Sequence, residues 1–509
     1  MTTASSTLSD YSLFATGCGR NLLAVFVLAG LGDWLFYDQP LGISIAVFFA
    51  AVGIAAATVN PLHANAREML TALAVLVAGL APLIAVPSLT AVLFGAMATA
   101  YAVLVMASPD RASWIARIAN SFWLIADGCW QGFADIIHGL QRWMHGERGS
   151  IRTASLAAWI VPVVLGGVFL LLFTAANPLI ENWFAQLYPS AGVSNFSLPR
   201  VLFWCVASLL VWPFIFMRGY SALRKNVAAE FGPAPNQAVP ATPSSATLLS
   251  AATIVRSLVI FNILFAVQTV LDVVYLWGGV ALPDGMSYAT YAHRGAYPLI
   301  ATALLAAGFV IVAMQPSSDT ERSPFVRNLV YLWTGQNVLL VISSILRLDL
   351  YVAIYSLTYL RIAAFLWMVL VATGLVLIAT RIAFRQSNAW LIRMNLASLG
   401  VLLYACCFVN FPKIIAEYNV THSIEMSGDG VALDTAYLLD LGPQAIPALD
   451  RYFARQKSVP VFLVGKRDAL ASSEVTRLQN WRAWNYYGWQ LAGYLRKPRN
   501  DAAKDSVNP

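Results

Sequence analysis

Eleven runs of roughly twenty apolar residues decide what this chain can become: about 20–37, 41–58, 68–86, 89–107, 155–176, 199–217, 254–277, 295–314, 327–346, 352–380 and 388–410. Each is long enough to cross about 30 Å of hydrocarbon as a helix. Only closed barrels and helices satisfy every backbone N–H and C=O there, and runs of this length are helical. Charge agrees with hydropathy. Asp, Glu, Lys and Arg make up 11% of 509 residues, against about a quarter in soluble proteins. The expected fold is therefore all-α: a polytopic transmembrane bundle of about eleven spans (range ten to twelve), with a long cytoplasmic amphipathic helix and a small α-rich C-terminal extension.

Basic residues orient the bundle. Sixteen Lys and Arg, running from Arg20 to Arg393, fall in segments on the side of the N-terminus, and only Arg200, Arg294 and Arg347 fall in short loops on the other side. The positive-inside rule then sets the N-terminus in the cytoplasm. An odd number of spans sends the C-terminus to the opposite face. The net charge of +7 does not gather on a soluble face, so no nucleic-acid partner is expected. Cys18, Cys129, Cys205, Cys406 and Cys407 form no C-x-x-C pair and share no ligand spacing with the histidines, so neither metal nor cofactor is expected. The apolar stretch follows Cys18 instead of preceding it, which argues against a cleaved signal segment.

Four regions follow from this reading: a front membrane half, 1–217, with six spans; a flexible cytoplasmic linker, 218–253; a back membrane half, 254–410, with five spans; and a C-terminal periplasmic extension, 411–509. Within the front half, apolar residues from Ile115 to Trp143 recur every three or four positions, opposite Arg117, Asn120, Asp127, Gln131 and Asp135. This predicts an amphipathic helix over 113–145, lying on the membrane or packed on the inner end of the bundle. In the linker, FGPAPNQAVPATPSSATLLS has the composition of a flexible tether. Within the extension, VALDTAYLLDLGPQAIPALDRYFARQ reads as two helices broken at Gly442-Pro443. A further helix is expected over about 472–496, its Trp and Tyr residues and adjacent Arg suiting an interfacial anchor.

Charges inside spans are costly, roughly 2.5–3.5 kcal/mol on insertion scales, so they mark candidate sites. Asp33, Asp272 and Arg361 qualify. Arg361, about a third of the way into its span, is expected to pair with Asp272 or Asp33, either as an outward-facing polar vestibule or as a structural ion pair. At similar depth the outer loops hold Asp284, His293, Arg294, Arg347 and Asp349 as a second polar cluster. No G-x-S-x-G, H-E-x-x-H, Walker or G-x-G-x-x-G signature occurs. No catalytic residues are assigned.

The phrases DVVYLWGG (272–279), LPDGMSYATYAHRGAYPLIATALLAAGF (282–309), QNVLLVISSILRLDLYVAIYSLTYLRIAAFLWMVLVATGL (336–375), FPKIIAEYNV and LDTAYLLDLGPQAIPAL resemble one family, as does DWLFYDQPLG more loosely. It is the uncharacterised bacterial multi-pass membrane proteins carrying domain of unknown function number four-one-seven-three, and the similarity is strongest over 255–450. The resemblance implies a bacterial inner-membrane protein and supplies no activity, substrate or cofactor. The functional expectation is a non-catalytic sensor or assembly protein. A solute- or ion-translocating bundle and a membrane-embedded transferase are the alternatives. The lipid bilayer is the expected partner, with protein partners through 113–145 and 411–509 and an unspecified small-molecule ligand.

Overall fold

The computed structural model describes residues 18–107, 114–145, 198–217, 251–277, 308 and 323–497. The fold is all-α. Among the described residues the one pairing of extended backbone is an isolated bridge between Ser423 and Val431. Among the described residues seven helices are long and apolar enough to cross a membrane, and two shorter apolar helices accompany them. These nine coincide with nine of the apolar runs. The expected spans 155–176 and 295–314 and almost all of the linker lie outside the described residues. The chain forms two compact units, Met1–Pro235 with Gln479–Tyr486, and Asn236–Leu478 with Tyr487–Pro509.

The first unit contains α1 (Cys18–Phe36), α2 (Ile43–Val59), α3 (Ala66–Ala85), α4 (Leu89–Ala107), α5 (Trp114–His145) and α6 (Leu198–Ile215); its core gathers Val52, Ala56, Val103, Leu104, Val211 and Ile215, and α3 packs on α4 through Ala72, Ala102 and Val105. Asn65 and Glu68 start α3 with a reciprocal capping box: each side chain accepts from the other's backbone N–H at 3.0 Å. Such a cap contributes about 1 kcal/mol.

The amphipathic helix is α5, and it is packed into the unit. A Cβ on Gly128 would lie 2.2 Å from Pro213 Cβ, and one on Gly132 would lie 2.9 Å from Trp212 Cγ. A G-x-x-x-G face thus lets the α5 and α6 backbones approach closely. Trp212 Nε1 donates to Asp135 at 3.2 Å across the same contact. Trp114, Phe122 and Trp130 remain exposed.

The second unit contains α7 (Ala251–Asp272), which runs on into a π-turn at Val273–Trp277, then α8 (Pro324–Tyr355), α9 (Tyr359–Ala383) and α10 (Asn388–Cys406). Its core gathers Leu258, Phe265, Val330, Trp333, Leu340, Leu375 and Ile378. One boundary differs from expectation. α8 continues through Arg347 and Asp349, which the sequence assigned to an outer loop, and the real break is Ser356-Leu357-Thr358, with Ser356 at φ +68°. The loop was expected because charges usually mark the membrane surface. Here a buried partner removes the penalty and the helix carries on.

The C-terminal helices are α11 (Phe411–Thr421), α12 (Ile424–Ser427), α13 (Thr435–Asp440), α14 (Ile446–Arg455), α15 (Val461–Gln479) and α16 (Tyr486–Leu495). Ile415, Leu438, Leu449 and Phe453 form their core. Gly442 at φ +80° separates α13 from a short 3-10 turn that leads into α14, as Gly442-Pro443 predicts. The helix expected over 472–496 is instead interrupted: α15 stops at Gln479, Asn480 caps a 3-10 turn at Trp481–Ala483, and α16 starts at Tyr486. The interruption lets residues 479–486 pack in the first unit. Ile43 N donates to Trp484 O at 2.8 Å, so a carbonyl satisfies an orphan N–H at the start of α2. Arg482 lies 4.4 Å from the Trp34 ring, and Trp481 lies 5.8 Å from it.

Buried Asp450 organises the second unit's C-terminal part. Arg467 grips it bidentately at 2.8 and 2.6 Å, and Tyr494 Oη donates to it at 3.1 Å. Burial, then the Asp450 charge, pushes the Tyr494 phenol well above its ordinary value of 10.0. Folding therefore favours the neutral phenol. That contribution is complete below about pH 10, where the unfolded phenol is also protonated, and declines as pH rises beyond it. Circular-dichroism melts should show alkaline destabilisation from about pH 10 upward, with a shallower slope in Tyr494→Phe. An unchanged slope would remove Tyr494 as the source.

Candidate functional site

The expected pairing of Arg361 with Asp272 or Asp33 is replaced by three separate arrangements. In the first unit, Asp33 is buried on α1 and is held by Arg200 from the first turn of α6, with Nε to Oδ1 at 2.8 Å and the second fork contact at 2.5 Å. Arg200 also lies over the Tyr37 ring at 5.3 Å. Two parallel charge-assisted bonds fix the guanidinium plane and hence the register of α6 against α1.

In the second unit, Asp272 is 1% exposed and Arg347 4%. Arg347 donates to Asp272 Oδ1, and Gln268, one turn earlier on α7, donates to the same oxygen at 3.0 Å. The pair ties the last residue of α7 to the third-from-last turn of α8. The π-turn at Val273–Trp277 begins immediately after Asp272, and such local widening of a helix is frequent where a side chain must be aimed.

A polar seam continues between the same two helices. Asn262 Nδ2 donates to Leu329 O at 3.1 Å, and Gln336 Nε2 donates to Asn262 O at 3.1 Å. Asn337 and Asn395 bond carbonyls of their own helices, Trp333 O and Leu391 O. Among the described residues, Asn262 Oδ1, Trp333 Nε1, Gln336 Oε1 and Asn337 Oδ1 are buried with no hydrogen-bond partner. Such atoms retain capacity for water or solute.

Arg361 sits in the first turn of α9, because the run read as one span from 352 is broken at Ser356. It donates to Tyr355 O at 2.5 Å and to Ser356 O, and lies over the Tyr351 ring at 4.7 Å. It thereby closes the end of α8, where carbonyls lack intrahelical partners. The same turn is gripped from α11. Leu357 N donates to Asn419 Oδ1 at 2.6 Å, and Asn419 Nδ2 donates to Leu357 O at 2.9 Å. One amide side chain thus satisfies both backbone groups of one residue. Beside it, Tyr418 is shifted upward by burial and then by the charge of Asp349.

The outer-loop cluster is only partly described. Asp284, His293 and Arg294 lie outside the described residues. Arg347 and Asp349 share α8 but not an environment: the first is buried and the second exposed. Sequence reasoning missed Arg200, Asn419 and the turn at Ser356. Arg200 had a signal, since a base at the start of an outer span matches Asp33 in depth. Asn419 had none, being an ordinary polar residue in a short helix. No set of three His, Cys, Asp or Glu able to hold a metal ion occurs among the described residues.

The arrangement is one of neutralised charges and braced turns, built into a membrane protein. No curated protein and no solved structure matches the chain. A family model described as Domain of unknown function (DUF4153) matches residues 23–452. Its number differs from the one that the sequence wording resembled, and the two agree that the domain's function is unknown. With most of its length inside that match, the chain belongs to the DUF4153 family.

Proposed function

We propose that this membrane protein is a non-catalytic sensor or assembly protein of the bacterial inner membrane. In this reading eleven helices span the bilayer, the N-terminus is cytoplasmic, and the extension 411–509 is periplasmic and works as the receiving domain. The observation that carries it is the two-bond grip of Asn419 on Leu357. A C-terminal helix is thereby attached to the turn between two spans, so a change in the extension reaches α8 and α9 directly. The packing of residues 480–484 against the loop between α1 and α2 supports their lying on one side of the bilayer. Protein partners would meet the lipid-facing aromatic face of 113–145 and the surface of 411–509.

The polar seam of α7 and α8, with its unpartnered amide oxygens, favours a second reading as an ion- or proton-translocating bundle. One experiment separates the two. Protein in proteoliposomes should pass no more protons than protein-free vesicles under an imposed potential. In cells, photo-crosslinkers on 411–509 should yield a defined protein adduct that Asn419→Leu loses. A proton flux abolished by Asp272→Asn with Arg347→Gln would install the translocation reading, and absence of any adduct would overturn the first.

A further inference from the structure

The second unit contains a cavity of about 320 Å³ at the end of α8, outside every charge pair described above. Val352, Ala353 and Ser356 form one wall, and Tyr418, His422 and Asp429 another. Its volume is roughly that of ten water molecules at about 30 Å³ each, the small end of the range for ligand pockets.

The walls are built, not incidental. The loop after α12 turns through Gly428 at φ +85° and Gly430 at φ +107°. A Cβ on Gly430 would lie 2.3 Å from His422 O, so the loop closes directly onto α11. Ile424 N donates to Val431 O at 3.1 Å and pins the far end. Opposite, the rings of Tyr418 and His422 stack at 4.1 Å with 19° between their planes.

The charged side chain lining the cavity is the carboxylate of Asp429. Asp429 bonds no protein group through its carboxylate among the described residues, and the exposed Asp349 carboxylate acts on Tyr418 at the rim. No Lys or Arg lines the cavity. Arg361, which reaches Ser356 from α9, is bonded to two carbonyls. His422 Nδ1 lies 2.9 Å from Tyr418 O and 3.1 Å from Thr421 Oγ1; in the tautomer that donates from Nδ1 to the carbonyl, Nε2 keeps its lone pair.

We infer that this cavity binds a small organic ammonium ion, the Asp429 carboxylate and His422 Nε2 accepting its N–H groups while the alkyl part lies against Val352, Ala353 and the aromatic pair. An anion would meet the Asp429 carboxylate on the wall, whereas the Arg361 guanidinium stands behind the Ser356 carbonyl and is not part of the lining. A metal ion would need three ligating side chains, and none converge among the described residues. The inference goes beyond the sensor reading, since binding is measured directly and needs no signal.

The test is isothermal titration of the full chain in detergent with n-butylammonium, and with 1-butanol and butyrate as neutral and anionic counterparts of the same shape. Saturable binding of the ammonium alone is expected. It should weaken tenfold or more in Asp429→Asn and several-fold in His422→Ala, and stay unchanged in Asp440→Asn, which removes an exposed carboxylate away from the cavity. Asp429 is exposed, so its variant should melt with the wild type. Equal binding of butanol or butyrate, undiminished binding by Asp429→Asn, or no saturable heat from any of the three overturns the assignment.

Discussion

Asp272→Ala and Arg347→Ala should each destabilise the second unit by about 3–5 kcal/mol, because each strands a buried charge without its counter-ion. The loss should be visible as a lower midpoint in SDS or thermal unfolding of detergent-solubilised protein. The double change Asp272→Leu with Arg347→Met should recover most of it, since a buried ion pair replaced by apolar groups of similar volume is often neutral. Exchange of the charges, Asp272→Arg with Arg347→Asp, should recover part. Pairing Asp272→Arg with Arg361→Asp should recover nothing, because Arg361 is engaged with Tyr355 O and Ser356 O instead. If the single changes leave the midpoint where it was, the pair contributes no stability and its placement needs another reason.

Gly42→Ala should release residues 480–484 from the first unit. The obstacle is not the backbone conformation, as Gly42 has an extended φ of −171°. It is space. A Cβ there would lie 2.3 Å from Ala483 C and 2.5 Å from Arg482 O, and backbone atoms cannot rotate aside as a side chain can. Overpacking of this kind costs about 1–3 kcal/mol. The Ile43 to Trp484 bond and the stacking of Arg482 on Trp34 should go with it. Trypsin should then cut after Arg482 several-fold faster than in the wild type, with the rest of the fragment pattern unchanged. A rate equal to the wild type would show that the segment accommodates a methyl group without moving.

Much of the fold was legible because hydrocarbon leaves a chain few choices: nine apolar runs became nine apolar helices, with the largest boundary differences where α8 ends and α9 begins. The errors cluster where tertiary contacts override local signals. Arg347 and Asp349 read as a loop because charges are normally found at the surface, whereas a carboxylate 75 residues away allows α8 to continue past them. The true break at Ser356 was hidden in the apolar wording YSLTYL and is held open by Arg361 and Asn419. The interfacial helix expected over 472–496 splits because Asn480 caps a turn and Trp481 packs at a tilt against Trp34, at a sequence distance that no periodicity reports. For the candidate sites, the costly residues were identifiable and their partners were not. Asp33 to Arg200 spans 167 residues, and depth in the bilayer was the one clue available. The G-x-x-x-G of α5 was readable in the sequence and would have shown that the amphipathic helix packs on another.

α8 has 32 residues, about 48 Å of rigid rod in a hydrocarbon layer of about 30 Å. Such a rod accommodates a change in bilayer thickness by leaning, and near mid-membrane the lean displaces little. At its end, a further ten degrees of lean swings Ser356 sideways by roughly 4 Å. The Asn419 grip holds that end, so the elastic state of the lipid becomes a lateral force on α11. Under the sensor reading, lipid chain length would thus be a mechanical variable for this molecule, entering through leverage and requiring no contact with a headgroup.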